Sequence, residues 1–159
     1  MKSKVKIHSK FSFFRLFISL LIGQSAGIIG GLATASSVKT WYITDLVKPS
    51  FNPPSWVFGP VWTLLFLLMG ISLYLVWDKK NNLFWFWIQL VLNTLWSFLF
   101  FGLHSPTLAF YEILILWFAI FMTTIRFFQY RKIAGILFLP YLLWVTFASF
   151  LNYFVMILN

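Results

Sequence analysis

Two sets of polar and aromatic residues recur at helical spacing in an otherwise apolar chain. Gln89, Asn93, Trp96 and Phe100 stand at i, i+4, i+7 and i+11, one face of a helix, and Trp85 begins the same stripe. Tyr141, Trp144, Ala148 and Asn152 repeat the pattern more weakly, with Pro140 one turn from Trp144 releasing a backbone carbonyl. The chemistry open to such residues is recognition: indole faces stack on flat apolar groups, while indole N–H and amide groups supply hydrogen bonds. Amides at this spacing either cross-link helices or line a cavity. Ala148 is small where its neighbours are large, which leaves the gap a flat ligand would occupy.

Catalytic and metal chemistry find little support. Glu112 is the acidic residue within the apolar runs, and it stands about a turn and a half into one of them. A carboxyl there is either functional or simply hydrogen-bonded near the interface, and one carboxyl does not make a proton relay. His8 lies in a basic tail and His104 in a turn, there is no cysteine, and no His/Asp/Glu pair has metal-ligand spacing, so no metal site is expected. Nor is there a Ser-His-Asp set, a P-loop or a dinucleotide glycine motif, and no catalytic residue is assigned.

The elements that must position these residues follow from composition. The 159 residues are 61% hydrophobic, 23% aromatic and 9% charged, against about 25% charged in a soluble domain. Five apolar runs, residues 13–35, 56–77, 83–103, 107–127 and 133–158, each reach the roughly 20 residues needed to cross a bilayer as a helix. Barrel strands would be about 10 residues long with alternating polarity, which these runs lack. The expected fold is therefore an all-α integral membrane protein, a bundle of five transmembrane helices at 13–158 behind a basic cytoplasmic tail at 1–12. Ser55 before the second run and Ser105-Pro106 before the fourth supply helix-start chemistry, and the third and fourth helices should form a tight hairpin.

Charge sets the orientation. Of twelve Lys and Arg, ten (Lys2, Lys4, Lys6, Lys10, Arg15, Lys79, Lys80, Arg126, Arg131 and Lys132) fall on one side of a five-span topology, leaving Lys39 and Lys48 on the other. The positive-inside rule then puts the N-terminus in the cytoplasm. The net charge of +9 thus reflects topology, and no nucleic-acid partner is expected. The basic start, the apolar run and Ala33-Thr34-Ala35 imitate a cleavable signal peptide, but the run exceeds the 7–15 residues of a signal core. It also carries Gly23, Gly27 and Gly31 at four-residue spacing, suited to close packing inside the bundle or to a homodimer seam.

The longest loop, residues 36–55, lies on the outer side. Its three prolines stiffen it, and Trp41, Tyr42, Leu46 and Phe51 need something to pack on, so it reads as a lid over the helix ends or as an interfacial loop with aromatics at headgroup level. Trp56, Trp77, Trp85 and Trp87 sit near helix ends, where an aromatic belt accounts for them. Trp62, Trp96, Trp117 and Trp144 lie deeper, where an indole N–H must find a partner in the protein or in a ligand. At 1.5 Å per residue, Trp62 and Trp96 are about 9–10 Å below the outer helix ends, beneath the Trp41 loop.

The run Trp41-Tyr42-x-x-Leu-x-Lys-Pro-x-Phe-Asn-Pro-Pro-x-Trp-Val-Phe-Gly-Pro-Val-Trp62, continuing to Met69-Gly70-x-Ser72 and Val76-Trp77, resembles the TspO/MBR family of tryptophan-rich sensory proteins and mitochondrial translocator (peripheral benzodiazepine receptor) proteins. Leu92-Asn93-x-x-Trp96-Ser97, Phe100-Phe101-Gly102 and Pro140-Tyr141-Leu142-x-Trp144-x-x-Phe147-Ala148-x-x-Leu151-Asn152 extend the resemblance over nearly the whole chain after the tail. It implies a five-helix bundle, often a homodimer, that binds porphyrins such as protoporphyrin IX, sterols and benzodiazepine-type ligands in a pocket opening toward the first loop. Carried over by motif, the pocket positions are Trp41, Tyr42, Trp62, Asn93, Trp96, Ser97, Trp144 and Ala148.

A membrane receptor, sensor or carrier for porphyrin is accordingly the expected function, with porphyrin as ligand and no resident cofactor. A free-base porphyrin needs no axial His or Cys; its macrocycle suits indole stacking, and loop groups could meet its carboxylates. The alternatives are light- and oxygen-dependent porphyrin breakdown, in which Trp41, Trp62 and Trp144 would carry oxidising equivalents, and transport of amphipathic cations, which would rest on Glu112. The sterol pattern associated with the last helix of animal members departs here, because Leu151 and Tyr153 are followed by no basic residue. The expected location is a bacterial inner membrane, with lipid as the surrounding partner.

Overall fold

A computed structural model describes residues 11–159; of the basic tail expected at 1–12, residues 1–10 lie outside the described residues. Five long helices are present among them: α1 (Phe13–Ser37), α2 (Ser55–Leu75), α3 (Phe84–Ser97), α4 (Pro106–Tyr130) and α5 (Lys132–Leu158). α1 continues into a π-helical segment, Val38–Asp45, and α3 into another, Phe98–Gly102. With its π extension α3 forms an apolar span over Phe84–Gly102, and all five spans are long and apolar enough to cross a membrane. The chain is an all-α multi-pass membrane protein.

Local chemistry sets most helix ends. The Ser105 hydroxyl accepts from Leu108 N at 3.4 Å, with Pro106 as the first helical residue where its missing N–H costs nothing. Ser12 caps α1 in the same way through Arg15 N. Ser55 differs from the expectation: it is the first residue of α2, and Pro54 occupies the cap position without a side-chain bond. Proline holds φ near the helical value, so the turn forms without a capping hydroxyl. The α3–α4 connection is tight, with Leu103 N donating to Phe98 O at 2.8 Å, Ser105 N to Leu99 O at 3.1 Å, and His104 at φ 51° between them.

The helices close into a ring in the order α1, α2, α5, α4, α3 and back to α1. Glycines allow the α1–α2 contact. A Cβ on Gly23 would lie 2.5 Å from Phe66 O, and one on Gly70 would lie 2.8 Å from Leu20 Cα, so the two backbones touch. Gly23 and Gly27 are thus spent inside the chain, and α1 is a packed member of the bundle. At the inner end Arg15 pairs with Asp78 at 3.1 Å, the one ion pair among the described residues.

Two apolar clusters fill the ring. The larger joins Phe66, Met69, Leu73, Phe86, Phe127, Phe138 and Tyr141, mostly toward the inner end; the smaller joins Tyr42, Leu46, Phe100, Ala109 and Val155 under the first loop. The outward faces are apolar too, with Leu32, Val91, Ile115 and Leu143 exposed, as lipid contact requires.

Candidate functional site

A cavity of about 240 Å³ lies within the ring beneath the first loop, walled by α1, α2, α3, α5 and the two π segments. α4 lends it no residue and instead backs α3 and α5. Its walls are aromatic. Trp96 stacks on Phe100 with centroids 5.0 Å apart, Trp62 stacks on Phe66 at 5.4 Å, and Phe58 meets Trp144 edge-on at 6.1 Å.

The two polar stripes serve different purposes. Along the first, Gln89 and Asn93 cross-link helices: Asn93 Nδ2 donates to the Tyr141 hydroxyl at 2.8 Å, which donates to Gln89 Oε1 at 3.0 Å. Gln89 Nε2 reaches Met69 Sδ at 3.6 Å, which completes a buried chain from α2 through α3 to α5. Asn152 performs the same task nearer the loop, accepting from Trp96 Nε1 at 3.0 Å and donating to Pro106 O at 2.8 Å. Asn93 does both jobs, since it also lines the cavity.

The deep tryptophans then sort by partner. Trp96 donates to Asn152, and Trp117, on the lipid-facing side of α4, donates to Thr146 Oγ1 at 2.7 Å. Trp144 Nε1 is buried, faces no acceptor and belongs to a residue on the cavity wall. An indole N–H left buried without a partner costs roughly 1–3 kcal/mol.

Of the positions drawn from motif and depth, the cavity brings together Tyr42, Trp62, Asn93, Trp96, Ser97, Trp144 and Ala148. Trp41 does not reach this wall. Its ring stacks on His104 at 4.5 Å and meets Phe100 edge-on at 5.5 Å, since neighbouring residues on a helical turn point to different sides. Sequence reading missed Phe58, Phe66, Ala26, Gly27 and Gly30. The glycine spacing was a usable signal: the face that lets α2 approach also leaves room beside it.

The first loop is a tied-down lid. Tyr42 is buried, and its hydroxyl donates to Asn52 Oδ1 at 3.1 Å; burial pushes the phenol above its ordinary pKa, with the Asn52 bond opposing. Lys48 Nζ donates to Tyr42 O at 2.6 Å and lies 5.0 Å from the Tyr42 ring centre. Asn159 clamps the segment that follows, accepting from Val47 N at 3.0 Å and donating to Val47 O at 2.9 Å. His104 Nε2 and Ser37 Oγ are hydrogen-bonded at 3.1 Å, joining the α3–α4 turn to the end of α1.

Glu112 is buried, and neither carboxylate oxygen has a hydrogen-bond partner. It sits on α4, outside the cavity wall. No group of three metal-ligating side chains occurs among the described residues.

Comparison with known proteins gives a consistent picture. A family model described as "TspO/MBR family" matches residues 17–158. The chain is 44% identical to the tryptophan-rich protein TspO of Archaeoglobus fulgidus, covering 91% of this chain and 97% of the archaeal one. Protein CrtK of Rhodobacter capsulatus is 37% identical over 82% of this chain and 85% of its own. The human translocator protein is 38% identical over 71% of each.

Proposed function

The chain belongs to the TspO/MBR family, and from that premise we propose that it is a membrane receptor or carrier binding porphyrins, protoporphyrin IX among them, in the cavity beneath the first loop. The observation that carries this reading is the unpartnered Trp144 Nε1 in a wall of stacked aromatics. A flat apolar macrocycle would fill the space between Trp62, Trp96 and Trp144, and an acceptor at its edge would meet the Trp144 N–H. The enclosed volume is smaller than a tetrapyrrole, so part of the ring system would reach out through the open side. Tyr42, Asn93, Ser97 and Ala148 are the further proposed contacts. The cation-transport alternative loses its residue, because Glu112 is off the wall.

The orientation is part of the proposal. Arg15, Lys79, Arg126, Arg131 and Lys132 lie at one end of the bundle and Lys39 and Lys48 at the other, which supports a cytoplasmic N-terminus in a bacterial inner membrane.

The test is a titration of the reconstituted protein with protoporphyrin IX, followed by tryptophan fluorescence in the dark. Saturable quenching is expected, with affinity about 5–10-fold weaker in Trp144→Phe, which keeps the ring and removes the N–H. Absence of saturable quenching overturns the reading. Light-dependent loss of porphyrin that requires Trp62 and Trp144 would favour breakdown instead.

A further inference from the structure

The α1–α2 seam is closed over one half of its length and open over the other. Toward the inner end the backbones touch at Gly23 and Gly70, and Gln24 Nε2 donates across to Thr63 O at 3.1 Å. At Gly27 an added Cβ would come within 2.5 Å of the Phe66 ring. One turn further out on each helix the contact ends. A Cβ on Gly31 or on Gly59 would meet no atom within 4 Å, both residues are exposed, and both border the cavity. The helices run antiparallel, so residues one turn beyond Gly27 and one turn before Thr63 stand at the same level. The exposed side chains of Ile28 and Leu32 flank this opening with hydrocarbon surface.

The axial way out is occupied by the lid. Tyr42 and Leu46 are packed against Phe100, Ala109 and Val155. The loop is further held by the Asn159–Val47 pair of bonds, the Lys48 ammonium and the Tyr42–Asn52 bond. A ligand leaving along the axis would have to break these together, whereas one leaving sideways displaces only lipid chains.

We propose that the gap between Gly31 and Gly59 is a lateral portal, through which ligand passes between the cavity and the hydrocarbon layer of the leaflet nearest the lid. This deepens the porphyrin-binding reading and rests on it. The portal selects flat apolar molecules that partition into lipid before they bind, and it disfavours polar solutes that approach from water. A second observation is independent of the glycines: Trp144, whose buried indole N–H has no acceptor, lines the same cavity.

Side chains placed at the portal test it. Gly31→Leu and Gly59→Leu put bulk at positions where an added Cβ meets no atom within 4 Å. Protein in phosphatidylcholine vesicles is mixed with vesicles loaded with protoporphyrin IX, and quenching is followed by stopped flow. Association and release should slow together, by about tenfold or more, with little movement of Kd. Asn159→Ala, which loosens the lid, should leave both rates as in wild type. A Gly59→Cys protein, the only thiol in a cysteine-free chain, compares one folded preparation with itself before and after coupling to a bulky thiol reagent. Unchanged rates in the glycine variants and after coupling, or faster exchange in Asn159→Ala alone, overturn the portal and leave binding intact. Weaker binding through faster release alone also overturns it. No saturable quenching in wild type overturns the binding reading itself.

Discussion

Asn152 shows how one side chain can hold three helices. It satisfies the Trp96 indole on α3 and the Pro106 carbonyl at the start of α4 from its place on α5. Asn152→Leu keeps the volume and orphans both partners, so it should destabilise the protein by about 2 kcal/mol or more, read as a lower Tm in detergent. Glu112 is the opposite case. Its oxygens are buried with nothing to bond, and replacing an unsatisfied polar group by an apolar one of similar shape is nearly neutral or stabilising. Glu112→Met should therefore match or exceed wild type in Tm, and a loss of several degrees would show that the carboxyl has a partner. Tyr42 carries a pH dependence. A phenol whose folded pKa is raised confers stability that is full below the unfolded value, about 10, and is lost as pH rises through the folded one. The lid should hold through neutral and mildly alkaline pH; in Tyr42→Phe this alkaline loss disappears, as monitored by Trp41 fluorescence.

At the scale of elements, the α1–α2 pair separates glycines that look alike in sequence. Gly70 faces backbone at 2.8 Å, whereas Gly31 faces open space. Gly70→Ala should lower Tm sharply, since neither Leu20 Cα nor Ser19 O can move without shifting a helix. Gly31→Ala should be neutral or stabilising by up to about 1 kcal/mol through helix propensity. Four-residue glycine spacing was legible as a close-packing face; which members touch a neighbour was not, because that depends on where α2 crosses. The lid reading of the first loop likewise came from its prolines and aromatics. Its helical start left no mark in periodicity, and motif matching assigned Trp41 and Tyr42 to one wall although Tyr42 lines the cavity and Trp41 stacks on His104.

For the whole molecule, the charge asymmetry makes a prediction that needs no ligand. In intact cells Lys48→Cys should react with an impermeant thiol reagent, while Lys79→Cys should react only after lysis; the reverse pattern would invert the topology. The closed ring of helices also accommodates a cavity beside a filled core. The inner half is filled by Phe86, Phe127, Phe138 and their neighbours, the outer rim by the lid cluster, and the space left between is lined rather than packed.

Composition and run length determined five membrane-spanning helices, because a bilayer tolerates few alternatives for a chain this apolar, and the charge bias gathers most basic residues at one end. Depth counting placed Trp62 and Trp96 beneath the first loop, and motif added Asn93, Trp144 and Ala148. Only the tertiary structure decided which of their polar groups are spent on neighbouring helices and which is left without a partner. Trp96 and Trp144 are the same residue type at similar depth, yet one has Asn152 within 3.0 Å and the other has nothing. A side chain's partner depends on the rotation and crossing of the helix opposite, and those are set by packing across the whole ring.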